Sequence, residues 1–321
     1  MADLQIIFMG TAPLSCPSLQ SLLEAPGFRL LAVVTQPDRP KGRQMKPQPS
    51  PVKELAVRRG LPVLQPERAR EPAFLEELRR LGPDLIAVAA FGQLLPQAIL
   101  DLPRHGCLNV HTSLLPQYRG AAPVQWAILK GETRTGVTIM RMDAGLDTGP
   151  ILAQEETPIG PEDDSQTLHE RLAAMGARLL VATIRRHIAG SIAPIPQSQA
   201  AASYAPKLRK QDGRIAWTDP APAIWNRVRA LVPWPGAFTF LPAQPQALLL
   251  KVWRAEVVDA AGPPGQILQA DKTGILVACG HQALRLLVVQ REGGRPMSAR
   301  DFLAGHALAP GPLSHSLTLT A

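Results

Sequence analysis

Through its first two thirds the chain alternates short apolar runs with segments of helical spacing, and that order admits few folds. Gln5–Met9 is an apolar run ending at Gly10-Thr11, and Pro17–Leu23 reads as the helix that follows it. Phe28–Thr35, rich in Val and Leu, predicts a buried strand. In the next stretch, Val52–Arg59, the residues Val52, Leu55 and Ala56 have the i, i+3, i+4 spacing of a helix. Asp84–Phe91 and Cys107–His111 predict further strands, Val124–Leu129 a helix, Gly136–Met142 a strand and Leu168–Ile188 a long amphipathic helix. Such a sequence implies an α/β domain: a Rossmann-like, mostly parallel sheet with helices on both faces and ligands beyond the carboxyl ends of its strands.

The pattern changes near Gly190. Residues 190–207 are rich in Ala, Pro, Ser and Gln and read as a linker between a first domain, 1–189, and a second, 208–321. In the second domain one helix, Ala223–Leu231, precedes the short strand-like runs Ala237–Leu241, Leu248–Val257, Gln266–Ala270, Gly274–Ala278 and Ala283–Val289. Gly, Pro and Asp turns separate them, which predicts a small OB-like β-barrel. The charge is uneven as well. Of the net +8, residues 207–321 supply most, with 13 basic against 7 acidic side chains, while residues 1–206 hold 21 against 19. A basic half-chain suits a polyanionic partner such as nucleic acid; a plain solvated surface of an Arg-rich protein (26 Arg to 8 Lys) is the alternative. Three well-separated cysteines, Cys16, Cys107 and Cys279, form neither a disulfide framework nor a metal-type pair. The start MADLQIIF lacks a secretory pattern, and the longest apolar run, Leu85–Phe91, falls far short of the roughly 18 residues of a membrane span. These features predict a cytoplasmic protein with no membrane partner, acting as a monomer.

Two segments carry chemistry. In Leu108-Asn109-Val110-His111-Thr112-Ser113-Leu114-Leu115-Pro116, strand alternation sends Asn109 and His111 to one face and Val110 to the other. Polar groups buried near the end of a parallel strand need a partner or a ligand, and by themselves these two could be structural hydrogen-bonding groups. The second segment, Met142-Asp143-Ala144-Gly145-Leu146-Asp147-Thr148-Gly149, directly follows an apolar strand, so its loop can bring Asp147 beside His111 to orient the ring. A simple turn is the other reading of the loop. A calcium loop lacks the further oxygen ligands, and an aspartic protease would need a second matching carboxylate.

Taken together, Asn109-Val-His111, Ser113-Leu-Leu-Pro116 with Arg119-Gly120, and Asp143-x-Gly145-x-Asp147-Thr-Gly149 resemble the folate-dependent formyltransferases. Thr35-Gln-Pro-Asp-Arg-Pro-Lys-Gly-Arg43, Ser50-Pro-Val-Lys53, Gly120-Ala-Ala-Pro-Val-Gln125, Gly136-Val-Thr-Ile-Met140, Trp234-Pro235 and Lys251-Val-Trp253 are similar to the branch that acts on methionyl-tRNA. Ala12-Pro13-Leu14 and Gln117 depart from the family pattern.

The resemblance implies transfer of a formyl group from 10-formyltetrahydrofolate, as co-substrate and without a metal, to the α-amine of methionine on initiator methionyl-tRNA. It implies catalytic roles for Asn109, His111 and Asp147. It also implies a folate slot flanked by Phe91, Gly92, Gln93, Leu94, Ser113, Leu114, Leu115 and Pro116, with the loop from Asp143 closing over it. The proline-rich loop bearing Arg39, Lys41, Arg43 and Lys46 would meet tRNA, as would the cluster Lys207, Arg209 and Lys210 that opens the second domain. A formyltransferase of a small amine, a hydrolase releasing formate from the same folate, and a non-catalytic tRNA-binding module are the competing functions.

Overall fold

The apolar runs become strands of one sheet in a computed structural model that describes residues 3–41, 46–241 and 247–313. In chain order the strands of that sheet are β1 (Leu4–Gly10), β2 (Phe28–Val34), β3 (Val63–Leu64), β4 (Leu85–Ala89), β5 (Cys107–His111), β6 (Arg134–Arg141) and β7 (Ile151–Pro158). They lie side by side as β7-β6-β5-β4-β1-β2-β3. The first five are mutually parallel, β6 runs antiparallel to β5, and β7 antiparallel to β6. Every residue of β4 and β5 is buried, as expected of central strands covered on both faces. β7 lies at the edge of the sheet, where Gln154, Glu155 and Glu156 can reach solvent without breaking a ladder.

Strands β1, β2 and β3 step one way across the sheet, and β4 and β5 continue on the other side of β1. The switch point therefore falls between β1 and β4, whose carboxyl ends open the crevice where such sheets hold ligands. Polar bonds tie the loops there. Thr11 Oγ1 and Gln36 Nε2 both donate to Phe91 O, at 3.1 and 3.0 Å. The departure at Ala12-Pro13-Leu14 forms a short 3-10 turn, Pro13–Ser15, leading into helix α1 (Cys16–Glu24). Pro51 sits in the first turn of α2 (Pro51–Arg58), whose Ser50 cap accepts from Lys53 N at 3.0 Å. Helix α3 (Pro72–Leu81), which the sequence reading does not separate out, buries Phe74 and Leu78.

Helices α4 (Pro123–Leu129) and α5 (Ser165–Ile188) follow in chain order. Gly176 of α5 lets helix and sheet approach closely, since a Cβ there would lie 2.7 Å from Val110 Cγ1 and 3.4 Å from Val137 Cγ1. Val110 thus points into the helix layer, which sends its neighbours Asn109 and His111 to the opposite face. Gly176→Val is expected to destabilise the protein by about 1–3 kcal/mol through overpacking. A fall in Tm by thermal unfolding checks this; an unchanged Tm would show the contact to be soft.

The second sheet is antiparallel throughout. Its strands β8 (Ala237–Leu241), β9 (Leu248–Val258), β10 (Gln266–Asp271), β11 (Gly274–Ala278) and β12 (Ala283–Arg291) are ordered β8-β9-β12-β11-β10, followed by the short strand Gly311–Pro312. The sheet curls as a half-barrel, and among the described residues β8 and Gly311–Pro312 are the two ends of that path. Ile224 and Val228 from α6 (Ala221–Ala230) and Phe302 from α7 (Ala299–Gly305) fill its concave side with Leu250, Val252, Ile275, Val277, Leu284 and Leu286.

By internal contacts the chain forms two compact units. Residues 1–123, 134–158 and 168–206 make the first, and 124–133, 159–167 and 207–321 the second. The stretch 190–207, expected to be a linker, belongs up to residue 206 to the first unit. Ile195 pairs with Ile151, Arg119 N donates to Ser203 O at 2.9 Å, and Tyr204-Ala205 runs parallel to Arg119-Gly120, so residues 195–205 are built into the first unit. The composition misled because these bonds are made by backbone and by amide side chains, which leave no apolar periodicity to read. Among the described residues no helix is long and apolar enough to cross a membrane.

Candidate active site

Strand β5 delivers Asn109 and His111 to the carboxyl end of the sheet, both buried. The His111 ring is fixed at Nε2, which lies 2.9 Å from Tyr118 O. A carbonyl can only accept, so Nε2 carries a proton and Nδ1 is the nitrogen left to face the site. Nδ1 lies 3.7 Å from Asp147 Oδ2, with both side chains largely buried. Asp147 Oδ2 also accepts from Gly120 N at 2.8 Å. The Asn109 side-chain amide makes no hydrogen bond to another described residue, which leaves its donors for a ligand. The structure therefore brings Asn109, His111 and Asp147 to one strand end.

The loop that carries Asp147 owes its shape to the residues around it. Asp143 Oδ1 accepts from Gly145 N at 3.0 Å and from Thr148 Oγ1 at 2.7 Å, closing a tight turn. A Cβ on Gly145 would overlap Thr148 Oγ1 at 1.9 Å, and one on Gly149 would overlap Arg141 O at 1.8 Å. The spacing Asp-x-Gly-x-Asp-Thr-Gly is thus the set of residues this turn can accept. Asp147 itself stands at φ 53°, a left-handed conformation that aspartate tolerates better than most side chains. Leu146 beside it is 47% exposed.

The segment after β5 is held by Thr138 of β6. Its buried hydroxyl donates to Ser113 O at 2.7 Å and accepts from Leu115 N at 3.1 Å and Gln154 Nε2 at 2.9 Å. Gln154 also donates to Leu115 O at 2.8 Å. Several residues read as folate-contacting are occupied by these structural tasks. Ser113 Oγ donates to Gln117 O, Leu115 packs with Met140 and Ile151, and Leu114 lies over Gly136, where an added Cβ would be 2.6 Å from it. Phe91 belongs to the core with Ile7, Met9 and Ile99, and Gln93 binds Ala69 N through Oε1 at 2.7 Å. Gly92 takes φ 83°. Leu94, by contrast, is 69% exposed, and Pro116 is half-buried.

The basic residues are less uniform than their sequence suggests. Arg39 is exposed and pairs loosely with Glu67 at 3.8 Å. Lys41 and Lys46 stand in the two short strands of a hairpin, and Arg43 lies outside the described residues. Lys53, next in that run, is bound to Asp38 at 2.8 and 2.9 Å, and this bond with one from Gln65 holds the Asp38 carboxyl below its ordinary pKa. Lys207, Arg209 and Lys210 are all exposed around the buried Leu208.

Cys107, two residues before Asn109, is buried, and burial pushes its thiol up to about 12. The unfolded chain would lose that proton near the ordinary value of 9.0 while the folded chain keeps it. Stability is therefore expected to fall as pH rises from about 9 toward 12, by at most about 1.4 kcal/mol per pH unit for this thiol. Urea unfolding at pH 7, 9 and 10.5, with Cys107→Ala showing a shallower decline, checks the sign; an equal decline in both proteins would contradict it.

Comparison with known proteins shows the family. The "Formyl transferase" model matches residues 6–184, and "Formyl transferase, C-terminal domain" matches residues 207–307. A methionyl-tRNA formyltransferase of Trichlorobacter lovleyi is 51% identical over 321 residues, covering 100% of both chains. Those of Citrifermentans bemidjiense and Myxococcus xanthus are 50% and 49% identical, covering 98% and 97% of this chain and 97% and 98% of their own. Among solved structures, an N-formyltransferase of Helicobacter canadensis shares the fold at 20% identity, with a TM-score of 0.65 over 89% of this chain and 99% of its own. Two matched domains and full-length relatives at half identity place the chain in the methionyl-tRNA formyltransferase family.

Proposed function

We propose that the chain moves the formyl group of 10-formyltetrahydrofolate onto the α-amine of methionine carried by initiator tRNA. The observation that carries this reading is one strand end presenting an amide that hydrogen-bonds no other described residue, Asn109, beside an imidazole whose second nitrogen faces a carboxylate. The neutral amine attacks the formyl carbon, and negative charge develops on the formyl oxygen. Asn109 donates to that oxygen, and His111 lies on the same face of β5 to assist. In acyl transfer a donor aimed at such an oxygen is worth about 3–4 kcal/mol. Asp147 orients His111 and accepts a proton relayed from the attacking amine, by way of a water where the distance requires it. As the new C–N bond forms, the proton taken by Asp147 passes on to N10 of the folate, and the bond from N10 to the formyl carbon breaks. Formyl-methionyl-tRNA and tetrahydrofolate leave.

In this reading the folate ring lies at the switch-point crevice, against the backbone of Phe91–Leu94 and of Ser113–Pro116, with the loop Asp143–Gly149 over it. Most side chains there already support the fold, so backbone groups and the exposed Leu94 supply the contacts. Arg39, Lys41, Arg43 and Lys46, with Lys207, Arg209 and Lys210, contact tRNA phosphates. The test offers the protein 10-formyltetrahydrofolate with charged initiator tRNA, with free small amines, or with water alone. Formyl-methionyl-tRNA as the dominant product supports the proposal. A formylated small amine or free formate in its place would assign the site to one of the competing reactions, and bound tRNA without turnover would assign it to a binding module.

A further inference from the structure

We propose that Gln197 is a positioning residue for Asp147 and that the buried guanidinium of Arg119 sets the orientation in which it acts. Gln197 Nε2 donates to Asp147 O at 2.9 Å and to Gly149 O at 2.7 Å. Its Oε1 accepts from Arg119 Nε at 3.1 Å and Nη2 at 2.8 Å. An amide side chain can ordinarily be turned over, exchanging its oxygen and nitrogen. Here it cannot, because a guanidinium only donates and two carbonyls only accept, so each end of the amide has one partner type. Arg119 is fully buried, and Gln199 Oε1 takes its remaining Nη1 at 2.9 Å.

The same dipeptide also holds the carboxylate. Gly120 N, next to Arg119, donates to Asp147 Oδ2 at 2.8 Å, and Arg119-Gly120 is itself paired with Tyr204-Ala205. Asp147 is thus gripped at its main-chain oxygen through Gln197 and at its side chain through Gly120. Both grips are needed because a residue at φ 53° is not held there by its own backbone preference. The strap 197–205 therefore keeps the carboxylate at its 3.7 Å distance from His111 Nδ1. Gln197 touches neither substrate in this account; it acts through Asp147. The kinetic part of the inference rests on the proposed formyl transfer, and the structural part does not.

Gln197→Glu separates the two ends of the side chain. It keeps an acceptor for Arg119, now charged, and places a carboxylate oxygen against the carbonyls of Asp147 and Gly149. The expected result is a Tm no lower than wild type, KM for both substrates within about twofold, and kcat lower by about tenfold or more, since displacements near 1 Å at a reacting centre cost up to about 10²-fold. The Gly120 amide, read by hydrogen exchange, should exchange about tenfold faster or more as its carboxylate partner shifts. In an Asp147→Asn background the same substitution should add little to the loss in kcat. Gln197→Ala, assayed below its lowered Tm, gives the same comparison should the glutamate variant not fold. Unchanged kcat, unchanged Gly120 exchange, or a loss fully additive with Asp147→Asn would each overturn the inference. Absence of formyl transfer by the wild type would instead overturn the proposed function, and Gly120 exchange would still decide the role of Gln197.

Discussion

Asn109→Ala is expected to lower kcat for methionyl-tRNA formylation by about 10²–10³-fold, the loss typical of removing one donor to a developing oxyanion. KM for the formyl donor should stay within about twofold, because the interaction is made mainly in the transition state. The structure supports so clean a result. Asn109 makes no side-chain hydrogen bond to another described residue, so its removal orphans no buried group, and its strand is anchored by backbone pairing to both neighbours. Asn109→Asp should be as damaging, since a carboxylate repels the charge that the amide stabilises. Retention of a tenth or more of wild-type kcat in Asn109→Ala would remove the residue from catalysis.

The second large effect concerns salt. Replacing Lys207, Arg209 and Lys210 together by alanine should weaken kcat/KM for tRNA while leaving folate binding unchanged. Three lost phosphate contacts at a slope near 0.9 each flatten the salt dependence by roughly 40-fold between 50 and 200 mM salt. The three side chains are solvent-exposed, so truncating them leaves the buried Leu208 and the fold in place. Rates of tRNA formylation across that salt range give the slope. An unchanged slope would return the cluster to a solvated surface, the plainer reading of an Arg-rich chain.

The parts of the molecule legible in the sequence are those written in apolar period. Cys107–His111 and Gly274–Ala278 match observed strands residue for residue, because a run of buried apolar side chains between turn residues leaves little choice. Asn109 and His111 could be assigned to one face by alternation alone, and Val110 against Gly176 shows the other face in contact with α5. The loop of Asp147 was visible as spaced glycines, although the reason for the spacing, Thr148 and Arg141 O standing where Cβ atoms would go, is visible only in three dimensions. Strand β7 and the strap 197–205 were not legible. In β7 the Gln154-Glu155-Glu156 run looks like a polar loop, yet an edge strand holds it easily. In the strap, Gln197, Gln199 and Ser203 organise Arg119 and Tyr118 over roughly 80 residues of sequence separation, and nothing local signals such a pairing. The folate-slot residues show the converse limit. A motif can name Ser113 and Leu115 without showing the structural contacts their side chains make, here with Gln117 and Met140.

The central claim is that Asn109, His111 and Asp147 form one centre that passes a formyl group to the methionyl amine. Single-turnover transfer from formyl-labelled 10-formyltetrahydrofolate to charged initiator tRNA, with wild type and His111→Ala compared at saturating substrates, tests it most directly. The expected result is label on the methionine α-amine with the wild type and a rate at least about 10²-fold lower with His111→Ala, both substrates remaining bound. Equal rates in the two proteins, or label leaving the wild type only as formate, would contradict it.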